Sequence, residues 1–339
     1  MHDQDGTDLT VVDGHGVPQK RRQSALSVTD EAAVQAAFQK ADSYARSADA
    51  PATLRAYRAD WEGFAAWCGT HGFLPVPAEA RVVGAYLASL AETHAPASLR
   101  RKLSAIGKMH RFNSLPWNPA HRDIQQPLRG ILRQHGRPTR QAAALTMDIL
   151  KQLVATCDLS ARGRRDRLML LLGFAGALRR SELVGLNVND VARTTDGLTV
   201  TIRRSKTDAD GEGARVGIPR GRHPQTCPVL AFDAWQAVAL RNSGPLFRRI
   251  SVAGRIASEA LKPYAVQRIL LHRMSLAGIE MKALSPHAMR VGFITEAYNR
   301  GVRDEDIMKH TRHKDLRTMR GYVRRAGLIT DSPAGLVGL

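Results

Sequence analysis

The sequence predicts a mainly α fold in two domains, with one small antiparallel β-sheet in the second, and three observations lead there. The chain has 339 residues, more than one core of ordinary size organises, since domains usually run to roughly 100–200 residues. Its first half repeats apolar side chains at three- and four-residue spacing and has no strand signal of note. In its second half, period-two alternation is confined to LTVTIRR from Leu198 and ARVGIP from Ala214, which predicts a strand pair among helices.

Taken in order, residues 1–27 are polar, rich in Asp and Gly, and end in the basic cluster Lys20, Arg21, Arg22, so they predict a flexible arm. A helical domain over 28–135 follows. Val34, Ala37, Phe38 and Ala41 mark its first helix, and Leu54, Tyr57, Trp61, Phe64 and Trp67 mark a second that starts with Thr53 as cap. Further helices are predicted near 79–92, 98–112 and 121–134. Residues 136–145, with Pro, Gly and two Arg but little periodicity, predict a linker. The second domain, 146–326, opens with a helix capped by Thr146 and running to about Cys157. A buried helix from Arg164 to Leu178 follows, then the strand pair, then helices to the end. Residues 327–339 form a short tail carrying Leu328, Ile329, Leu336, Val337 and Leu339.

Lys and Arg total 50 against 31 Asp and Glu, a formal charge of +19 with pI near 10.7. Basic residues recur along the whole chain, so the field calls for a polyanion, and nucleic acid is the natural one. Arg55 and Arg58 on the second helix, with Arg100, Arg101, Lys102, Lys108 and Arg111 on the fourth, stand out because no carboxylate occurs between Ser98 and Ala120. That face is expected to contact phosphate. The N-terminus lacks the start of a secretory signal, and the longest apolar run, Leu168 to Leu178, is too short to cross a bilayer, so a cytoplasmic protein acting without a membrane is expected. Cys68, Cys157 and Cys227 are odd in number and widely spaced, which argues against disulfides and zinc. His310 and His313, one helical turn apart with His287 elsewhere, lack the cysteine or carboxylate that would complete a metal site. Phosphate-binding Gly-rich loops and paired-carboxylate metal sites are also missing, so neither metal nor nucleotide cofactor is expected.

Four local patterns carry the chemistry: Leu178-Arg179-Arg180-Ser181-Glu182, Arg204-Ser205-Lys206-Thr207, Ser285-Pro286-His287-Ala288-Met289-Arg290, and His313 with Tyr322 nine positions on. In that order, from about Leu145 to Tyr322, they resemble the tyrosine recombinase (phage integrase) family. The ordered set is far more specific than any one member. Two departures stand out. Arg312 occupies a place where many members have Gly, and the frequent Thr-Gly-Leu becomes Gly176-Ala177-Leu178, shifting the glycine by one. Neither departure is expected to touch a reacting group.

The residues themselves explain why such a set suits phosphodiester chemistry. An anionic diester gains further charge in its transition state, and the planar, permanently charged forks of Arg179 and Arg290 match two phosphate oxygens. Tyr322 is the expected nucleophile, leaving a covalent 3′-phosphotyrosine that conserves bond energy for religation without ATP. A free phenol attacks poorly at neutral pH, so cationic surroundings and a base are needed. His287 is the expected base, and His313 is expected to donate to the phosphate. Lys206, in the loop between the strands, is the expected general acid for the 5′-oxygen, while Glu182, three residues after Arg179, orients that arginine.

Further DNA contacts are expected from Arg203, Arg204, Lys262, Gln267 and Arg268. By resemblance, two domains clamp double-stranded DNA, a dimer occupies one inverted-repeat site, the 327–339 tail docks on a neighbouring protomer, and a tetramer exchanges strands through a Holliday junction. A type IB topoisomerase or a telomere resolvase would use similar residues without exchanging partners. A basic, non-catalytic DNA-binding regulator is disfavoured by the intact residue set.

Overall fold

A computed structural model of the chain describes residues 28–47, 49–136, 144–203, 213–280, 287–323 and 337. The chain divides into two compact units, Met1–Pro138 and Thr139–Leu339. The expected N-terminal arm, residues 137–143 of the expected linker, Arg204, Lys206 and all of the expected tail except Val337 lie outside the described residues.

The first unit contains α1 (Val28–Ser47), α2 (Pro51–Thr70), α3 (Ala80–Ser89), α4 (Pro96–Phe112) and α5 (Arg122–His135). The second helix begins two residues before the expected Thr53. Ala50 is its cap and Pro51 its first residue, where a missing N–H costs nothing and the fixed φ suits the helix. α2 packs on α4 and α3 on α5 around Phe64, Val83, Leu87, Leu99, Ile106 and Ile124, all 1% exposed or less.

The second unit begins with α6 (Met147–Ala155), where the Thr146 hydroxyl accepts from the Ile149 amide at 3.4 Å as expected. The buried α7 (Ala161–Ala175) starts at the Ser160 cap, three residues earlier than expected, and ends before Leu178. α8 (Arg180–Gly185) leads to β1 (Val191–Arg193), β2 (Gly197–Ile202) and β3 (Ala214–Pro219), an antiparallel sheet in the order β1-β2-β3. In its register Leu198 faces Ile218 and Val200 faces Val216. All four are buried, as the alternation predicted. α9 (Pro228–Ala239) follows, and then a second hairpin of β4 (Arg248–Ile250) and β5 (Ile256–Ala260), where the sequence suggested only helices. The chain continues through α10 (Pro263–Leu276), α11 (Ala288–Asn299), α12 (Asp304–Thr311) and α13 (Leu316–Val323).

Two features fix the elements that carry the site. Asp166 on α7 is buried between Arg165, at 2.6 Å, and Arg273 of α10, at 2.7 Å. Arg273 also donates to the Thr156 carbonyl, at 2.7 Å, and Arg165 to the Arg248 carbonyl, at 3.2 Å, so this one carboxylate ties α7 to α10 and to β4. The other feature is a close approach of backbones. Gly292 on α11 lies so near Leu145 that an added methyl would collide with the Leu145 carbonyl oxygen, and the Leu145 amide donates to the Ala288 carbonyl at 3.3 Å. A backbone oxygen cannot swing aside, so Gly292→Ala is expected to destabilise the second unit by about 2 kcal/mol or more. The check is urea unfolding of the purified variant against the parent.

Candidate active site

α7 and α12 end by the same device. After α7 the Leu178 amide reaches back to the Gly173 carbonyl (3.0 Å) and the Ala177 amide to that of Phe174 (3.0 Å), with Ala177 left-handed at φ 46°. After α12 the His313 amide reaches the Met308 carbonyl (3.1 Å), with Arg312 left-handed at φ 60°. These are helix-terminating turns of the kind in which glycine is usual at the left-handed residue. One delivers Arg179 to the head of α8, and the other delivers His313.

Arg179 sits at the N-cap of α8 and Glu182 three residues inside it. The Glu182 carboxylate accepts from the Arg179 amide at 2.9 Å and from Arg179 Nη1 at 2.6 Å, so it fixes that arginine's backbone and head group together. Arg290, in the first turn of α11, is 3% exposed. Its Nη1 donates to the Ala177 carbonyl at 2.8 Å, and its Nη2 lies 3.3 and 3.2 Å from the two ring nitrogens of His313. Tyr322 on α13 is half-buried against a small apolar cluster of Ile294, Ala297, Ile307 and Met319, with its ring centroid 5.9 Å from that of His313. Arg179, Glu182, Arg290, His313 and Tyr322 are thus brought together.

His287 is the exposed N-cap of α11, three residues before Arg290, with its carbonyl accepting from the Val291 amide at 2.9 Å. His310 uses its ring to donate to the Ala175 carbonyl at 2.8 Å and stacks on Phe293.

One residue of this cluster was missed by sequence reasoning except as a departure from pattern. Arg312, with 11% of its side chain exposed, donates to Glu182 Oε2 at 2.9 Å and reaches the Ala177 carbonyl at 3.4 Å. The expectation that neither departure touches a reacting group is therefore corrected. Arg312 shares Glu182 with Arg179, and Ala177 presents its carbonyl to Arg290. The available signal was an arginine where the pattern has glycine, directly before His313.

Three guanidiniums, Arg179, Arg290 and Arg312, converge on a region where Glu182 is the one carboxylate bonded to them among the described residues. Burial, then the neighbouring Arg179 and Arg312, pull Arg290 down to about 9, still charged at neutral pH. Burial, then Arg290, Arg179 and Arg312, pull His313 down to about 4, so its ring is neutral in the free protein. The Thr311 hydroxyl donates to the Ile307 carbonyl at 2.6 Å and so must accept from His313 Nδ1–H, also at 2.6 Å, which leaves the Nε2 lone pair free of that proton. The donor role expected for His313 therefore needs an arriving anion, which would offset the arginines and raise the ring's proton affinity.

A histidine held below its ordinary value of 6.5 adds stability above that value, and this is lost as pH falls toward 4. Allowing for solvent screening, the loss from His313 is roughly 1–3 kcal/mol. Thermal unfolding of the parent between pH 6.5 and 4 should show that slope, and His313→Asn should flatten it by this share.

The expected DNA-contact residues divide. Arg55, Arg58 and Arg100 are exposed in the first unit, as are Lys262 and Arg268 in the second, with Gln267 half-buried. Lys102 is corrected. It is buried, 3.3 Å from Asp60, with its ammonium over the Tyr86 ring, and so cannot meet a phosphate. Arg101 is bidentate on the same Asp60, at 2.6 and 3.2 Å, and Lys108 pairs with Asp49. The balancing carboxylates come from α2 and from the segment before it, outside the carboxylate-free stretch. Arg203 is exposed but bonded to the buried Asp190 at 2.6 Å.

Residues 143–327 match the model of the phage integrase family. The chain is 30% identical over 284 residues to an integrase/recombinase XerD homolog of Selenomonas ruminantium, covering 83% of each protein. It is 28% identical to tyrosine recombinase XerD of Caulobacter vibrioides, covering 81% of this chain and 86% of that one. In fold it is similar to the XerH recombinase bound to a palindromic difH substrate (TM-score 0.58, 14% identity, 77% of this chain and 73% of that one). It is likewise similar to a lambda integrase dimer bound to a COC′ core site (TM-score 0.54, 15% identity, 81% and 72%). Fold, site and sequence together define a DNA strand-cleaving and religating enzyme. The chain belongs to the phage integrase family, the tyrosine-type site-specific DNA recombinases.

Proposed function

We propose that the chain recombines DNA by cutting each strand with Tyr322, holding the cut end as a 3′-phosphotyrosine, and exchanging strands between two sites through a Holliday junction. The observation that supports this best is the excess of buried guanidinium charge beside Tyr322. Arg179 and Arg312 destabilise the charge of the buried Arg290 between them, and a diester phosphate relieves that repulsion, the more so as charge grows in the transition state. In this reading Arg179 and Arg290 clamp the phosphate and Tyr322 attacks it. The phenolic proton passes to His287, His313 donates to a phosphate oxygen once the anion has raised its proton affinity, and Lys206 protonates the leaving 5′-oxygen. Religation reverses these steps, so no cofactor is consumed.

The substrate is double-stranded DNA with inverted repeats, bound by a dimer at one site and by a tetramer when two sites are joined. The palindromic substrate of the XerH structure and the dimer of the lambda integrase structure support that symmetry. Exposed Arg55, Arg58, Arg100, Lys262 and Arg268 are the proposed backbone contacts. The test is a plasmid carrying two copies of a site selected from a randomised inverted-repeat library. Excised or inverted products support the proposal. Relaxation of supercoils without rearrangement would assign a topoisomerase instead.

A further inference from the structure

We infer that Arg312 is a positioning residue of the active site, which holds Glu182 and the Ala177 carbonyl so that Arg179 and Arg290 keep the geometry of a phosphate clamp. This rests on the reading of those two arginines as the clamp. Among the described residues Glu182 is divided between two guanidiniums: Oε1 takes Arg179 Nη1 at 2.6 Å, and Oε2 takes Arg312 Nη2 at 2.9 Å together with the Arg179 amide at 2.9 Å. The Ala177 carbonyl is divided in the same way, between Arg290 Nη1 at 2.8 Å and Arg312 Nη2 at 3.4 Å. Arg312 thus meets the anchors of both clamp arginines. Its Nη1 is also held, by the carbonyls of His310 at 3.1 Å and Gly176 at 3.4 Å, so both terminal nitrogens are occupied in bracing.

The arrangement costs the protein stability in two ways. Arg312 is held at φ 60°, where a residue with a Cβ is disfavoured, and its Nε is buried without a hydrogen-bond partner. A glycine would form the same helix-ending turn at lower cost, so the turn alone does not account for an arginine. The guanidinium does: it is the group that reaches Glu182 and Ala177 from this turn, which also carries His313. Loss of the brace takes one guanidinium away from the Glu182 carboxylate and one from the Ala177 carbonyl. Displacements of the order of 1 Å at a clamp lower rates by about 10²-fold while leaving the bulk of a DNA interface intact.

The experiment compares Arg312→Gly, which removes both the side chain and the left-handed constraint, with Arg312→Met, which keeps the constraint and most of the volume but not the guanidinium. Single-turnover cleavage of a nicked duplex is measured at saturating protein, DNA affinity by gel shift, and folding by thermal melt, with assays run well below each midpoint. We expect both variants to cleave about 10- to 100-fold more slowly, with affinity within about twofold of the parent and partial recovery in Arg312→Lys. Either variant combined with Arg179→Lys should lose less than the product of the single losses, because both act through Glu182.

Parent-like cleavage by Arg312→Gly with a defect only in Arg312→Met would overturn the inference and assign a backbone role. Multiplicative losses in the double variants would also overturn it. If Arg312→Gly does not fold, Arg312→Met and Arg312→Lys decide by the same criteria. Absence of cleavage by the parent itself would instead count against the reading of the clamp.

Discussion

Tyr322→Phe is expected to bind DNA as the parent does and to form no covalent adduct. The substitution removes one oxygen and keeps the ring that packs against the cluster of Ile294, Ala297, Ile307 and Met319, so α13 retains its place beside His313. A residue whose only task were packing would tolerate the change with little effect on any readout, because phenylalanine fills the same space. A nucleophile cannot tolerate it, since no neighbouring atom on the ring can attack phosphorus. The measurement is denaturing gel electrophoresis of protein incubated with a nicked duplex, beside a gel shift on the same DNA. Parent-level adducts in the variant would move the nucleophile elsewhere.

The second large effect is expected from Arg179→Lys and Arg290→Lys. Each keeps a positive charge and loses the planar fork. Arg290 uses one nitrogen on the Ala177 carbonyl and another beside His313, and a lysine has one nitrogen for both tasks. Arg179 holds Glu182 through Nη1, and a lysine there would have to choose between carboxylate and phosphate. Cleavage should fall about 10²–10³-fold in each, as when one preorganised donor to a developing oxyanion is removed. DNA affinity should change little, because most phosphate contacts of a duplex-binding protein lie outside the cleaved step. Near-parent cleavage in both variants would remove the clamp from the mechanism.

Elements that rest on local rules were legible in the sequence. Thr146 caps its helix, and the alternation of Leu198, Val200, Val216 and Ile218 gave both the strand pair and its buried face. The Arg179–Glu182 contact was legible because it spans three residues. What the sequence hid was set by partners distant along the chain. The stretch from Ser98 to Ala120 has no acid of its own, yet Asp60 from α2 neutralises Arg101 and Lys102 and draws the lysine out of solvent. β4 and β5 were too short and too polar to show alternation, and they stand because Arg248 at the head of β4 is buried, its carbonyl held by Arg165 and its own Nη2 donating to the Ala239 carbonyl. Arg312 was visible as a residue out of pattern, but its purpose depends on Glu182, 130 residues away in sequence.

The central claim is that Tyr322 carries the cut DNA end. It is tested most directly by trapping the parent protein on a nicked duplex, digesting the DNA to a mononucleotide stub, and sequencing the tryptic peptides by mass spectrometry. The account predicts a nucleotide joined through its 3′-phosphate to the tyrosine of the peptide Gly321 to Arg324, with a free 5′-hydroxyl on the released strand. A stub on any other residue, or a 5′-phosphate at the break, would contradict it.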